Sequence, residues 1–236
     1  MKEIKSILFD LDGTLLPMDI EEFTESYFKE LSKKLSEYFT YEELKRLVWT
    51  STNYMVNNLE EDKLNIDAFF EDFDKKTNYD LEELKPIFDE FYNEDFKVLK
   101  NITKPNEKIV KSVKLLKDKG YEIILATNPL FPKEAIYHRI QWSGLQKEDF
   151  VFITTYDNMH FCKPNLEYYS EILNKIERTP NEVMMVGNDM QEDIIASELG
   201  IKTYLITNHV INKKNTNLVP HYKGTIDEFY DFTKQL

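Results

Sequence analysis

Residues 7–16 have the sequence Ile7-Leu8-Phe9-Asp10-Leu11-Asp12-Gly13-Thr14-Leu15-Leu16. The first three residues are apolar, which is typical of a strand buried on both faces of a parallel sheet. Asp10 and Asp12 follow, and the Gly-Thr pair after them predicts a turn. Because residues i and i+2 of a regular strand share a face, we expect both carboxylates to point into one crevice. Two close carboxylates repel each other without a cation, and Mg²⁺ is a hard cation that prefers oxygen ligands.

Four later apolar runs resemble the first strand, which we predict over residues 4–9. They cover residues 121–126, 150–155, 183–186 and 202–206. Helical patterns separate or follow them, at residues 107–119, 132–143, 165–176 and 191–199. Alternating strands and helices predict an α/β fold with a Rossmann-like parallel sheet and right-handed crossovers.

Residues 17–100 break this alternation and contain no convincing strand. They show four helical patterns, at residues 21–39, 41–59, 66–76 and 81–96. We therefore predict an all-helical cap domain over residues 17–100, called the helical insert below. It would interrupt an α/β catalytic core formed by residues 1–16 and 101–236. Within that core, residues 207–224 are expected to form a loop before a last helix at 226–236.

Charge is distributed unevenly along the chain. The 236 residues include 43 Asp or Glu and 30 Lys or Arg, for a formal net charge of −13. The helical insert holds 22 of the acidic and 11 of the basic residues. Such a balance argues against a general nucleic-acid binder and against binding to an anionic membrane. It does not exclude a small phosphorylated ligand, because a bound divalent cation can reverse the local charge.

A single cysteine, Cys162, excludes an intrachain disulfide and a cysteine-based zinc site. This favours a reducing compartment. We find no apolar run long enough for a signal peptide or a membrane span. We therefore expect a cytoplasmic protein.

Polar residues follow three of the other predicted strands. Thr127-Asn128 follows residues 121–126, and Lys163-Pro164 opens the helix after the third strand. Asn188-Asp189 follows the fourth strand, and Asp193 comes four residues later. Each of these is by itself an ordinary turn or helix-start residue. Their order is informative, because the carboxyl ends of parallel strands meet at one edge of the sheet.

With the DLDGT run, these positions resemble the four motifs of the haloacid dehalogenase (HAD) superfamily, whose phosphatase members carry DxDx[TV] in the first. The resemblance covers essentially the whole chain. The helical insert is similar in position and character to the family's C1-type cap. The resemblance implies a Mg²⁺-dependent phosphohydrolase that cleaves a small-molecule phosphate monoester through an aspartyl-phosphate intermediate.

The same resemblance implies roles for individual residues. Asp10 would attack phosphorus, and Asp12 would act as general acid and then general base. Thr127 and Lys163 would complete the catalytic set by holding the transferring phosphoryl oxygens. The expected substrate-binding residues are Leu11, Thr127, Asn128 and Lys163, with Leu11 and Asn128 acting through their backbone N–H groups.

The implied Mg²⁺ ligands are Asp10, Asp12 through its carbonyl, and an acid of the fourth motif. Alignment on Gly187 places Asn188 where many relatives have Asp. Alignment on the apolar run that follows places Asp189 there instead. We expect Asp189 to bind the metal directly. Asn188 and Asp193 are expected to position the metal ligands without binding the metal themselves. Direct binding of the metal by the amide oxygen of Asn188 remains an alternative.

Alternatives remain within and outside this reaction. A phosphomutase keeps both aspartates, and a non-catalytic interaction protein could share the HAD fold. A dehalogenase does not need an acid at the position of Asp12, and a signalling receiver domain has no helical insert. The expected partner is a small phosphorylated metabolite, with no nucleic acid and no membrane. The sequence does not reveal the substrate, nor whether the chain is a monomer or a homodimer.

Overall fold

The computed structural model describes residues 4–213 and 216–236. Its centre is a sheet of six parallel strands in the order β3-β2-β1-β4-β5-β6. The strands are β1 Ser6–Phe9, β2 Glu122–Leu125, β3 Phe152–Ile153, β4 Val183–Gly187, β5 Lys202–Ile206 and β6 Tyr222–Gly224. The predicted α/β fold with a parallel sheet is confirmed.

Four α-helices lie between β1 and β2 in the chain. They are α1 Ile20–Lys34, α2 Tyr41–Asn57, α3 Asn65–Lys76 and α4 Leu81–Asn93, followed by a 3₁₀ helix at Asp95–Ile102. The predicted helical character of the insert is confirmed, whereas its bounds as a separate domain stay a prediction. No helix in the two described ranges combines the length and apolar character needed to cross a membrane.

The remaining helices connect the later strands. They are α5 Glu107–Asp118, α6 Lys133–Trp142, α7 Leu166–Lys175 and α8 Ile226–Gln235. Short 3₁₀ turns lie at Lys147–Asp149, Pro180–Glu182 and Ile194–Leu199.

Strand β1 is the central strand and sets the position of the site. Its last residue, Phe9, is in register with Leu125 of β2 on one side and Val186 of β4 on the other. The strand order changes direction at β1, and ligand crevices of open parallel sheets form at such points. The segments after β1, β2 and β4 therefore meet at one edge of the sheet.

Several predicted helix boundaries are wrong. Helix α1 ends at Lys34, and the chain turns through residues 35–39 so that Phe39 packs on Phe73 of α3, with ring centroids 6.2 Å apart. The pattern at 81–96 divides into α4 and the 3₁₀ helix that starts at Asp95. Tertiary packing overrides helical periodicity at both places.

Three predictions in the second half of the chain also need correction. Residues 191–199 form a turn and then a 3₁₀ helix from Ile194, because Asp189 caps the turn at Gln191. Helix α7 begins at Leu166, so Lys163-Pro164 lies before the helix and does not open it. The predicted loop contains β6, which adds to the sheet edge where Tyr222 stacks on Tyr204 of β5 at 6.5 Å. A three-residue strand is too short to leave a hydrophobic pattern in the sequence.

Phe96 joins the helical insert to the sheet-packed part of the molecule. Its ring is fully buried, stacks on Trp142 of α6 at 5.5 Å and meets Phe23 of α1 edge-on at 6.2 Å. Aromatic pairs in these geometries add to the free energy gained by burying the rings. Loss of this ring would therefore open a cavity between α1 and α6.

We expect Phe96→Ala to lower the free energy of unfolding by about 3–5 kcal/mol, the range for removing a buried aromatic ring. Urea denaturation followed by circular dichroism measures it. Val98→Ala in the same 3₁₀ helix is the matched control, because Val98 is 47% exposed. Equal stability of the two variants would contradict this account of the packing.

Candidate active site

Lys163 is the centre of the charged groups at the strand ends. Its side chain is fully buried, and Nζ donates to Asp10 Oδ1 at 3.0 Å and to Asp193 Oδ1 at 2.6 Å. Burial favours the neutral amine and lowers the pKa of Lys163, but the two carboxylates outweigh burial and raise that pKa well above its usual value. Lys163 is therefore an ammonium that holds the segments after β1 and β4 together.

Asp193 uses both carboxylate oxygens. Oδ1 faces Lys163, while Oδ2 accepts the backbone N–H of Asp189 at 2.9 Å. Gly187 leaves room for this arrangement, because a Cβ built there would lie 2.1 Å from Asp193 Oδ2. The glycine at the end of β4 is thus required by the position of one carboxylate.

Asp12 is paired with a residue that the sequence argument did not identify. Strand β1 ends at Phe9, so the expectation that Asp10 and Asp12 share a strand face is wrong in its geometry. Asp12 points to Arg139 of α6, and Nη1 of the guanidinium donates to Asp12 Oδ2. Burial raises the pKa of Asp12, and the Arg139 charge opposes that rise.

Arg139 is held by aromatic faces and is 1% exposed. Its guanidinium carbon lies 4.5 Å from the ring centre of Phe131 and 5.8 Å from that of Phe23. The pair with Asp12 is not bidentate, since Arg139 Nη2 and Asp12 Oδ1 are both buried without a hydrogen-bond partner in the described residues. Asp12 thus keeps one oxygen without a hydrogen bond to the described residues.

Several donors at the strand ends have no protein acceptor in residues 4–213 and 216–236. The backbone N–H groups of Leu11 and Asn128 are among them, as is the hydroxyl of Thr127. Thr127 is 3% exposed, and its carbonyl accepts the hydroxyls of Thr154 and Tyr168 at 2.7 and 2.8 Å. Polar groups that are nearly buried usually have partners, so these free donors indicate space for an anion.

The side chain of Asn128 fixes the Lys163 segment. Asn128 Oδ1 accepts the backbone N–H of Lys163 at 3.2 Å, and Nδ2 donates to the Lys163 carbonyl at 3.3 Å. Nδ2 also donates to Glu192 Oε2 at 3.0 Å. Burial raises the pKa of Glu192 to about 8, so this carboxyl binds its proton more tightly than usual.

Asn188 and Asp189 differ in how far their oxygens are engaged. Asn188 Oδ1 accepts the Thr14 hydroxyl at 2.8 Å, and its Nδ2 donates to the His209 carbonyl at 2.7 Å. Asp189 Oδ1 accepts the backbone N–H groups of Gln191 and Glu192 at 2.7 and 2.9 Å, while its Oδ2 makes no hydrogen bond to the described residues. Asp189 therefore has a free oxygen, whereas the Asn188 amide ties two loops together.

The donor set fits a hard divalent cation. Asp10 and Asp189 each have one carboxylate oxygen without a hydrogen bond in the described part of the chain, and the Asp12 carbonyl accepts none there. Within residues 4–213 and 216–236, no three His, Cys, Asp or Glu side chains form a cluster that could hold an ion. The set suits an ion that keeps water ligands beside a few protein oxygens, as Mg²⁺ does.

One crevice of about 1050 Å³ brings most of the predicted site residues together. The predicted residues that line it are Asp10, Asp12, Thr127, Asn128, Asn188, Asp189 and Asp193. Lys163 is fully buried behind Asp10, and Leu11 is also fully buried, so neither side chain lines the crevice. Side chains of the helical insert form much of the rest of its wall, together with residues of the later loops such as Phe131, Tyr156 and Ile211.

Two residues of this site were missed at the level of sequence. Arg139 stands on the same helix face as Ala135, Ile136 and Ile140, and an arginine on an apolar face was the available signal. Glu192 had no such signal, because an acid beside Gln191 on a turn is usually solvated. Its burial depends on the loop that Asp189 caps.

Removal of the Arg139 charge is expected to leave the Asp12 carboxylate uncompensated. Arg139→Met should lower the free energy of unfolding by about 3–5 kcal/mol, as for other broken buried ion pairs. The double variant Arg139→Met/Asp12→Leu should regain much of that loss. Arg178→Met is the control, since the Arg178–Glu122 pair is partly exposed and its loss should cost about 0–1 kcal/mol. Urea denaturation of the wild type, Arg139→Met, Asp12→Leu, the double variant and the Arg178→Met control measures the coupling, and additive effects of the two single variants would contradict it.

The close approach at Gly187 generates a second prediction. Gly187→Ala should displace Asp193 from Lys163 and lower the free energy of unfolding by about 1–3 kcal/mol, as in an overpacked core. Gly120→Ala is a control for backbone strain alone, because its φ of 89° is strained for alanine while nothing lies within 4 Å of the new Cβ, and it should leave the Lys163–Asp193 pair intact. A crystal structure of Gly187→Ala with the Lys163–Asp193 pair intact would refute the proposed steric requirement.

Comparisons with known proteins identify the family and the fold of the chain. The model of the haloacid dehalogenase-like hydrolase family matches residues 4–198. Pyrophosphatase PpaX of Bacillus cereus is 23% identical over 204 residues, which cover 86% of this chain and 83% of that protein.

Solved structures show the same fold. A HAD phosphatase from Thermococcus onnurineus has 21% identity and a TM-score of 0.58, with 97% of each chain covered. A Haemophilus somnus protein described as a predicted phosphoglycolate phosphatase has 18% identity and a TM-score of 0.61, covering 100% of this chain and 99% of that one. At these identities the likeness shows the fold alone. Because the family model covers most of the sequence, the chain belongs to the haloacid dehalogenase-like hydrolase family.

Proposed function

We propose that this hydrolase cleaves a small-molecule phosphate monoester, with Mg²⁺ as cofactor and an aspartyl-phosphate on Asp10 as intermediate. The observation that carries the proposal is the buried Lys163 ammonium, which holds Asp10 through Oδ1 and leaves Oδ2 without a protein hydrogen bond in the described residues. A carboxylate that is fixed at one oxygen and free at the other is oriented for attack. The names of relatives, a pyrophosphatase and a phosphoglycolate phosphatase, support phosphate chemistry.

In the first half of the reaction, one carboxylate oxygen of Asp10 attacks phosphorus in line with the leaving oxygen, and the other is left for Mg²⁺. The bond between phosphorus and the leaving oxygen breaks as the new bond to Asp10 forms, and Asp12 gives its proton to the leaving alcohol. Burial raises the pKa of Asp12 and the Arg139 charge opposes that rise; Asp12 Oδ1, which has no hydrogen-bond partner in the described residues, is the oxygen that would carry this proton. The Thr127 hydroxyl and the N–H groups of Leu11 and Asn128 bind the phosphoryl oxygens.

In the second half, water hydrolyses the aspartyl-phosphate. Asp12, now a carboxylate paired with Arg139, takes a proton from that water while its oxygen attacks phosphorus. The bond from Asp10 to phosphorus breaks, and inorganic phosphate leaves. Asp12 is protonated again, which restores the starting state.

Asp10, the carbonyl of Asp12 and Asp189 are the residues we assign to Mg²⁺. When bound, the ion offsets the negative charge of the phosphate and of the carboxylates around it. Asp193 supports this site through Lys163 and through the backbone N–H of Asp189. Asn188 keeps the Thr14 turn against the His209 loop.

A phosphomutase would share the first half of this reaction. Its second half would return the phosphoryl group to another hydroxyl of the same molecule, so release of inorganic phosphate separates the two activities. Among the described residues that line the crevice, no contact favours the mutase.

We expect Asp10→Asn to lower Mg²⁺-dependent hydrolysis of p-nitrophenyl phosphate by at least about 10³-fold, because an amide cannot act as the nucleophile. Asp118→Asn is the matched control, since Asp118 is an exposed residue at the end of α5. Removing Mg²⁺ with a chelator should abolish turnover by the wild-type protein. Turnover by Asp10→Asn at the rate of Asp118→Asn would refute the proposal.

A further inference from the structure

The crevice continues from the catalytic carboxylates into the helical insert, where its wall becomes aromatic. We define the distal wall as Phe28, Val48, Trp49, Phe70, Leu130 and Phe131, all of which line the crevice. The rings of Phe28 and Trp49 lie 5.8 Å apart, and Trp49 is 44% exposed. An exposed indole beside a catalytic crevice is a surface available for a flat apolar group.

The distal wall offers little positive charge. Among the described residues that line the crevice, the basic ones are Lys45 and Lys213, and no arginine is present. Lys45 Nζ lies 5.9 and 5.3 Å from the ring centres of Phe28 and Tyr41 and donates to the Tyr41 hydroxyl at 3.3 Å. Lys213 follows Ile211 by two residues, and Ile211 pairs with Asp189 of the catalytic edge.

Carboxylates also line the crevice. Asp19, Glu21, Glu22 and Glu25, at the start of α1, line it together with the catalytic acids. A second negative charge on the substrate, remote from the reacting phosphate, would therefore lie near fixed negative charge. Like charges at such a site reduce affinity by desolvation and repulsion.

These features together lead us to propose a substrate class. The substrate is a phosphate monoester whose alcohol has a flat, aromatic body and carries no negative charge; this rests on the phosphohydrolase function proposed above. The ring stacks on Trp49 and contacts Phe131, while the phosphate reaches Asp10. Pyrophosphate and 2-phosphoglycolate carry a second anion and no ring to stack on the distal wall, so we expect both to be poor substrates.

Four esters with similar reacting bonds test the proposal. Benzyl phosphate and ethyl phosphate differ in the ring, whereas benzyl phosphate and 4-carboxybenzyl phosphate differ in a remote charge. We expect kcat/KM for benzyl phosphate to exceed that for each of these two by about tenfold or more, the scale of discrimination for one group in a pocket. The fourth ester, 2-phosphoglycolate, should be no better than ethyl phosphate.

Two variants on α2 distinguish loss of the stacking surface from a general loss of activity caused by any substitution on this helix. Trp49→Ala should lower kcat/KM for benzyl phosphate about tenfold and leave ethyl phosphate within about twofold. Tyr54→Ala is the matched control, because Tyr54 is also on α2 and 36% exposed but does not line this crevice. Glu25→Arg should raise kcat/KM for 4-carboxybenzyl phosphate more than for benzyl phosphate.

A binding measurement keeps the proposal testable independently of turnover. Benzylphosphonate, which cannot be hydrolysed, should bind the wild-type protein with Mg²⁺ more tightly than phosphonoacetate does in isothermal titration. Tighter binding or faster turnover of the compound with the second anion would overturn the substrate class while leaving the phosphohydrolase function standing. Absence of turnover for every ester and for p-nitrophenyl phosphate would refute that function, and the phosphonate comparison would still decide the proposal about the distal wall.

Discussion

The ammonium group of Lys163 is the constraint on which the arrangement at the strand ends depends. Asp10 and Asp193, which belong to two different segments, both pair with this ammonium group. Without the ammonium group, the two buried carboxylates would repel each other. The Asn128 side chain in turn binds the backbone N–H and carbonyl of Lys163, so the segment after β2 is tied to the same point. A single buried cation thereby orders three loops that are far apart in the chain.

The sequence was sufficient for the fold and for most of the residues that line the crevice. Apolar runs that are followed by polar residues predict which side chains lie together, because parallel strands have their carboxyl ends at the same edge of the sheet. Asp10, Thr127, Asn128 and Asp189 could therefore be grouped without knowledge of any contact. The four helices of the insert were also predictable, since each has an apolar face at helical spacing.

What escaped prediction depends on packing between distant segments. Arg139 and Asp12 are 127 residues apart in the sequence, and no feature of the helix that contains Arg139 indicates that Asp12 is its partner. Whether Asn188 or Asp189 keeps a free oxygen is decided by Thr14 and His209, which lie in other loops. Strand β6 forms because its backbone can pair with the otherwise unpaired edge of β5. Its three residues are too few to show the alternation of apolar and polar residues that predicts a strand.

The central position of β1 has a consequence for how the chain folds. Ser6 pairs with Glu122 of β2 and with Val183 of β4, so both neighbours of this strand close long loops. Closing a long loop costs conformational entropy before the strand pairing can stabilise the chain, and such long-range contacts slow folding. The helices of the insert lie within the first loop and form mostly among near neighbours in sequence. We expect them to form early and to shorten the distance that β1 and β2 must close, which makes the insert a folding aid to the sheet that it interrupts.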